Sequence, residues 1–194
     1  MPQYVAIDDR VEVNSRTINS VLAGMKGFRS QAERILQAHG IFDLSPEAWI
    51  PQANWLEAFR TIGDTIGQST LFAIGKMIPE TAEFPPDINS IEGALASIDV
   101  AYHMNHRLEE KPLFVPETGE LLEGIGHYRV QETTGRSAIM VCRNPYPCRF
   151  DEGIIQAISE RFKPDDSLYV QVDHDAESAC RNKGGESCTY HIKW

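Results

Sequence analysis

The C-terminal stretch SLYVQVDHDAESACRNKGGESCTYHIKW (167–194) decides the fold that the sequence predicts. Apolar and polar residues alternate on both sides of a Gly-Gly turn, a pattern that is typical of two antiparallel strands. The natural register places Cys180 opposite Cys188 and His174 opposite Trp194. The apolar side chains of both strands then share one face, because side chains alternate along a strand. This register predicts that the two thiols are neighbours.

The residues before this stretch complete a sheet. HYRVQ (127–131) and SAIMVCR (137–143) are typical of two strands joined by a turn and predict a hairpin, whereas FDEGIIQAISERF (150–162) has helical spacing. The predicted order is β-β-α-β-β, a four-stranded antiparallel sheet with one crossing helix. We therefore expect residues 120–194 to form the sheet-containing part of an α+β protein.

Residues 1–110 have helical periodicity instead. The longest candidate helix, 52–78, carries two apolar stripes, which indicate that it is covered on more than one side. Gly63 and Gly67 allow either a close approach of another backbone or a kink, and Pro79 is expected to end the helix. We expect this helical part to pack on the sheet so that residues 1–110 and 120–194 form one ligand-binding domain.

Composition narrows the function classes. The chain has 194 residues, with 18 Lys and Arg against 28 Asp and Glu, a formal net charge of −10. An acidic surface repels phosphates, so we expect no nucleic-acid or membrane partner. The absence of a secretory signal and of a long apolar run predicts a cytoplasmic protein with reduced thiols. Nucleophile-elbow, P-loop and dinucleotide-binding patterns are absent, so no catalytic residue is predicted and an enzyme is less favoured than a binding protein.

Three interpretations of the Cys180–Cys188 pair remain open: small buried core residues, half of a metal site, or a disulfide. Cys148 and Glu177 are the candidates that would complete a metal site. In the predicted register, Glu177 points to the opposite face unless a bulge redirects it, and His174 lies too far along the strand.

The run from Glu177 to Tyr190, with an acidic residue, a cysteine, a glycine turn, a second cysteine and a closing strand, resembles the C-terminal signature of the 4-vinyl reductase domain family. That family is similar in fold to heme-NO-binding (H-NOX) sensors and to TRAPP vesicle-tethering subunits. The resemblance implies a helical N-terminal part packed on a four-stranded antiparallel sheet with a crossing helix.

The resemblance also implies a zinc site. In phenol-sensing transcription activators of this family, zinc is held by two cysteines, the nearby glutamate and a further cysteine on the preceding helix. Cys180, Cys188 and Glu177 match three of these ligands. This chain has isoleucines in the region of the helix cysteine, and Cys148, just before the helix, is its substitute.

Family members that sense small molecules bind them between the helices and the sheet. Aromatic and aliphatic side chains with a few polar tips are typical of such a wall. The alternative for each residue alone is an ordinary core position. The predicted lining is Trp55, Phe59, Ile62, Ile66, Ile98, Tyr102, Met104 and Tyr128.

Asp99, His103 and His106 share a face of the helix predicted over 88–108, where they could hold a metal or supply an axial heme ligand. Because this face is opposite the apolar stripe, we expect solvated histidines instead. H-NOX proteins mark their heme carboxylate site with Tyr-x-Ser-x-Arg, whereas the segment from Tyr128 to Glu132 lacks the Ser and the Arg. Heme is therefore less expected than zinc.

The sequence thus predicts a cytoplasmic sensory or regulatory domain that binds a small apolar or aromatic molecule and signals through a partner protein. The mechanism would be a ligand-driven shift between two helix arrangements. A homodimer formed through the N-terminal helices is also expected. One alternative is an accessory protein or enzyme of tetrapyrrole metabolism, and another is a ligand-free assembly scaffold.

Overall fold

Helices form the bulk of the N-terminal part of the computed structural model, which describes residues 2–25 and 27–194. The α-helices of this described part are α1 Ser15–Gly24, α2 Arg29–Ala38, α3 Gln52–Thr65, α4 Gln68–Thr81, α5 Ile91–Met104 and α6 Cys148–Phe162. The side chain of Asn14 accepts a hydrogen bond from the N–H of Arg16 at 3.0 Å, so the predicted start of the first helix is confirmed.

A small antiparallel sheet also lies in this part and was not predicted. Its strands are too short to show a period of two in the sequence. They are β1 Val11–Asn14, β2 Trp49–Pro51, β3 His106–Leu108 and β4 Lys111–Pro112, in the order β2-β1-β3-β4. A two-stranded ribbon, β5 Phe114–Val115 with β6 Glu120–Leu121, follows it.

The C-terminal sheet has four antiparallel strands in the order β7-β8-β10-β9, and α6 connects β8 to β9. This confirms the predicted α+β class and the β-β-α-β-β order. The strands are β7 His127–Thr134, β8 Ser137–Arg143, β9 Gln171–His174 and β10 Cys188–Lys193.

The predicted register of the last two strands is wrong. His174 pairs with Tyr190 rather than with Trp194, and the strand ends there. The cause is Asp175, whose carboxylate accepts hydrogen bonds from the N–H groups of Glu177 and Ser178 and so turns the backbone away. The apolar face is nevertheless preserved, because the pairing moves by an even number of residues.

The predicted single helix over 52–78 is two helices. Gly67 separates them at φ 119°, a conformation that residues with a side chain rarely adopt. The prediction that Pro79 ends the segment is also wrong, because α4 continues to Thr81.

The helices α4 and α6 cross at two glycines. A Cβ atom on Gly75 would lie 2.1 Å from the carbonyl oxygen of Phe150, and one on Gly153 would lie 2.2 Å from that of Phe72. The two backbones therefore touch directly, with no side chain between them. None of the described helices combines the length and the apolar content that a bilayer crossing requires.

Candidate functional site

Three buried thiols meet where α6 begins beside β10. The sulfur of Cys148 lies 3.3 Å from that of Cys188 and 3.5 Å from that of Cys180, and the last two are 3.9 Å apart. All four cysteines of the chain are free thiols. Cys180 lies in the loop after β9 rather than in a strand, yet the fold still brings it next to Cys188.

His174 is the fourth member of this group. One ligand atom from each of Cys148, His174, Cys180 and Cys188 lies within 4.8 Å of the others. The corrected register explains its presence, because His174 now lies beside Tyr190, with the ring centroids 5.0 Å apart. The predicted ligand Glu177 is exposed and lies outside this group.

Arg181 forms two hydrogen bonds to the sulfur of Cys188. Its backbone N–H and its Nε both donate to the Cys188 sulfur at 3.4 Å. The pKa of the Cys188 thiol is lowered, chiefly by the hydrogen bond from the Cys148 thiol and also by the positive charge of Arg181. The guanidinium of Arg181 is fully buried and pairs with the equally buried carboxylate of Asp151 on α6. This ion pair positions the cysteine loop against the helix.

A separate cavity of about 260 Å³ lies between the end of α4, α5 and α6, with one wall on the sheet. Aliphatic and aromatic side chains make up most of its lining. Its polar lining residues are Thr17, Glu83, Ser97, Asn105, His106 and three tyrosines. Its main lining residues are Ile78, Phe84, Ile88, Ile98, Ala101, Tyr102, Met104, Tyr128, Tyr146, Phe150, Ile154 and Ile158.

The predicted lining residues divide into two groups. Ile98, Tyr102, Met104 and Tyr128 line the cavity. Trp55, Phe59 and Ile62 are almost completely buried in the core beside it, and Ile66 packs against that core. Tyr146, which the sequence did not single out, contacts Phe59, Tyr102 and Phe150 through its ring.

The prediction that His103 and His106 are solvated is wrong; His103 lies on α5 and His106 begins β3. His103 is 0% exposed and His106 is 2% exposed. The sheet covers this second face of the helix, since the N–H of Tyr128 on β7 donates to the Asp99 carboxylate at 3.0 Å. His106 Nδ1 lies 2.7 Å from the carbonyl oxygen of Tyr102, and its Nε2 lies 3.0 Å from the hydroxyl of Tyr146.

Burial of His106 should make the stability of the protein depend on pH. Loss of solvation lowers the pKa of His106 from its ordinary 6.5 to about 4. Between these values the unfolded chain binds a proton that the folded chain does not, so stability falls as the pH falls through this window. We expect His106 to account for about 2 kcal/mol of the loss in unfolding free energy between pH 7 and pH 5.

Urea denaturation at the two pH values measures this contribution. His106→Gln should reduce the loss by that amount. An equal loss in His106→Gln and in the unchanged protein would contradict the assignment.

Solved structures share this architecture. An H-NOX protein from S. oneidensis in the Fe(II) ligation state matches with a TM-score of 0.65 at 12% identity, covering 93% of this chain and 95% of that one. The Fe(II) unliganded H-NOX protein from K. algicida matches with a TM-score of 0.62 at 13% identity, covering 93% and 95% of the two chains. A structure that concerns heme redox potential and porphyrin distortion matches with a TM-score of 0.59 at 13% identity, covering 93% and 99%.

The chain has the H-NOX fold. No family model and no curated protein matches its sequence. The predicted kinship in fold with H-NOX sensors is therefore confirmed at the level of the architecture.

The residues of this H-NOX fold do not fit heme. An engineered cavity of about 150 Å³ is filled by one benzene ring, so 260 Å³ is too small for a macrocycle of four pyrroles. Among the described residues that line the cavity there is no Lys or Arg to pair with the propionates. His106, the histidine in that lining, already uses both ring nitrogens.

Proposed function

We propose that this H-NOX-fold chain is a cytoplasmic sensory domain that binds a small apolar or aromatic molecule. The observation that carries the proposal is the cavity between α4, α5 and α6. Clefts lined by apolar and aromatic side chains with a few polar groups are the usual sites for small molecules. The acidic chain and the acidic Glu83 at the lining argue against an anionic ligand.

The size of the cavity restricts the ligand. Its 260 Å³ exceed the roughly 150 Å³ that hold a benzene ring and fall just below the range of about 300–1,000 Å³ for drug-sized molecules. A molecule with one or two rings therefore fits. Because His106 Nδ1 faces a carbonyl oxygen, its Nε2 accepts from the Tyr146 hydroxyl, whose oxygen can still accept a hydrogen bond from a ligand. A hydroxyl on the ring is therefore the expected polar group.

The position of the cavity supports signalling through a partner protein. Helices from both halves of the chain wall it, so occupancy favours whichever arrangement of α4, α5 and α6 accommodates the ligand. The N-terminal part also exposes Phe28 and Phe42, at 50% and 76%. These side chains are candidate contacts of the proposed homodimer, because aromatic residues are enriched at protein–protein interfaces.

Binding of 2-naphthol, a two-ring probe, tests the proposal by isothermal titration. We expect binding that Ala101→Phe weakens at least tenfold, because Ala101 lines the open side of the cavity, which a phenyl ring there would narrow. Ala96→Phe adds the same ring to an exposed position of α5 outside the lining and should bind like the unchanged protein.

Absence of binding, or equal binding by both variants, would contradict the sensor and leave the alternatives. Turnover of a tetrapyrrole with a reductant would favour an enzyme or accessory protein of tetrapyrrole metabolism. A ligand-free dimer purified from cells would favour an assembly scaffold.

We further propose that Cys148, Cys180, Cys188 and His174 hold structural zinc. A Zn–S bond of about 2.3 Å in a tetrahedron separates sulfurs by about 3.8 Å, close to the 3.3–3.9 Å between these thiols. Three cysteines and one histidine are a common closed zinc set. The resemblance of this segment to the 4-vinyl reductase signature supports zinc at this place, with His174 in the position that the resemblance gave to Glu177.

Zinc content measured by inductively coupled plasma mass spectrometry tests this site. Cys188→Ser should lose one equivalent relative to the unchanged protein, since serine replaces a thiolate ligand. The matched control is Cys142→Ser, a buried cysteine on β8 that pairs with Cys188 across the sheet but lies outside the group.

Glu177→Gln separates the two ligand sets. We expect it to keep its zinc and His174→Gln to bind zinc more weakly. The reverse result would restore Glu177 as the ligand and refute His174.

A further inference from the structure

The buried face of α5 carries a second cluster of metal-ligating groups, away from the cysteines. Asp99 and His103 lie one helical turn apart on α5, and His127 is the first residue of β7. One ligand atom from each of the three lies within 4.8 Å of the others. Asp99 and His103 are 8% and 0% exposed, and the side chain of His127 is 12% exposed.

One ring nitrogen of each histidine faces a carbonyl or carboxylate oxygen that orients the ring. His103 Nδ1 lies 2.7 Å from the backbone carbonyl oxygen of Asp99, which can only accept, so Nδ1 carries the proton. His127 Nε2 lies 3.2 Å from a carboxylate oxygen of Glu123. Metal-binding histidines nearly always donate their second ring N–H to a carbonyl or carboxylate in this way.

The remaining ring nitrogens, His103 Nε2 and His127 Nδ1, are the candidate donors to a cation. His103 Nε2 is buried and has no hydrogen-bond partner among the described residues. His127 Nδ1 lies 2.9 Å from Asp99 Oδ2, yet a neutral imidazole has one N–H and cannot donate both to Asp99 and to Glu123. A positive charge between His127 and Asp99 resolves this conflict, and the unpartnered Nε2 of His103 remains as a further nitrogen donor in the same cluster.

We propose that Asp99, His103 and His127 form a binding site for a divalent transition metal ion of the zinc type. Two imidazoles and one carboxylate suit this class of metal, and three protein ligands leave a coordination position open. The other Asp99 oxygen is fixed by the N–H of Tyr128, which holds the carboxylate in place. The neighbouring charged groups are Glu123 and the exposed Arg129, 3.9 Å apart.

The cluster borders the protein surface at His127, whose side chain is 12% exposed. A polar surface groove borders His127 and is lined by Glu123, Gly124, Gly126, Arg129 and Gln131. This site shares no ligand with the cysteine group, and its nitrogen and oxygen donors distinguish it chemically from three thiolates.

The test counts zinc in the full chain after equilibration with excess Zn²⁺ and desalting. His127→Gln and Asp99→Asn should each hold one equivalent less than the unchanged protein, whereas His39→Gln should hold the same amount. Any zinc on the cysteines cancels in these comparisons. Equal zinc in the unchanged protein and in His127→Gln, with circular dichroism showing the same fold, would overturn the proposal.

A second measurement does not depend on variants. In ¹H–¹⁵N spectra of the histidine rings of the unchanged protein, Zn²⁺ should shift nitrogen signals of His103 and His127 as well as any signal of His174. If Zn²⁺ at saturation leaves both of those rings unshifted, the site is refuted, whatever the cysteine group binds.

Discussion

Arg181→Leu should lower the free energy of unfolding by about 3–5 kcal/mol, because it leaves a buried carboxylate without its partner. The guanidinium is fully buried and pairs with Asp151. It also donates to Asn144 Oδ1 at 2.5 Å and to the carbonyl oxygen of Tyr146 at 2.9 Å. Leucine satisfies none of these acceptors, and each buried acceptor left unpaired adds a desolvation cost.

Urea denaturation followed by circular dichroism measures this effect. The control is Arg143→Leu, which breaks the exposed 3.5 Å pair with Glu186 and should cost less than about 1 kcal/mol. The double variant Arg181→Leu with Asp151→Asn should lose less than the sum of the single changes, because no unpaired charge remains buried. A loss below 1 kcal/mol in Arg181→Leu would contradict the structural role given to this ion pair.

Gly75→Ala should destabilise the protein by about 3 kcal/mol or more, because the new methyl group meets backbone atoms. The added Cβ would lie 2.1 Å from the carbonyl oxygen of Phe150 and 3.1 Å from the Cα of Gly153. A side-chain neighbour could rotate away, but a helix backbone cannot. The helices α4 and α6 must therefore separate along their contact.

The matched control is Gly93→Ala in α5. Its nearest neighbour would be the Ser90 hydroxyl at 3.5 Å, an ordinary contact, so the higher helix propensity of alanine should stabilise the protein by up to about 1 kcal/mol. Thermal unfolding measures the stability of both variants, and we expect a much lower melting temperature for Gly75→Ala than for Gly93→Ala. Similar melting temperatures for Gly75→Ala and Gly93→Ala would show that the two helices are not in backbone contact.

The sequence predicted those parts of the fold that have a local period. Residues 127–131 and 137–143 are typical strand segments on either side of a turn, 167–175 and 188–193 alternate, and 150–162 has helical spacing, so the four-stranded sheet and its crossing helix could be predicted from them. The small N-terminal sheet could not be predicted, since strands of two to four residues show no reliable alternation. The glycine crossing of α4 and α6 joins distant segments and leaves no local signal.

The candidate sites were predicted in part for the same reason. Cys180 and Cys188 were predicted to be neighbours from a register that is wrong, because Cys180 reaches Cys188 from the loop after β9 and not from a paired strand. His174 was excluded because the sequence does not show that Asp175 ends the strand. The burial of His103 and the approach of His127 depend on β7 covering α5, which helical spacing alone does not show. A polar helix face that carries two histidines and an aspartate was the available signal.

The glycine crossing restricts how α4 can move. A contact made of backbone atoms has no rotamers to exchange, so α4 can pivot on α6 at Gly75 but cannot slide along it. Thr81, the last residue of α4, lies six residues after Gly75, which is about 9 Å along the helix at 1.5 Å per residue. Ile78 and Pro79, which line the cavity, belong to this last part of α4. A small rotation of α4 about Gly75 therefore displaces these two residues more than it displaces Gly75 itself.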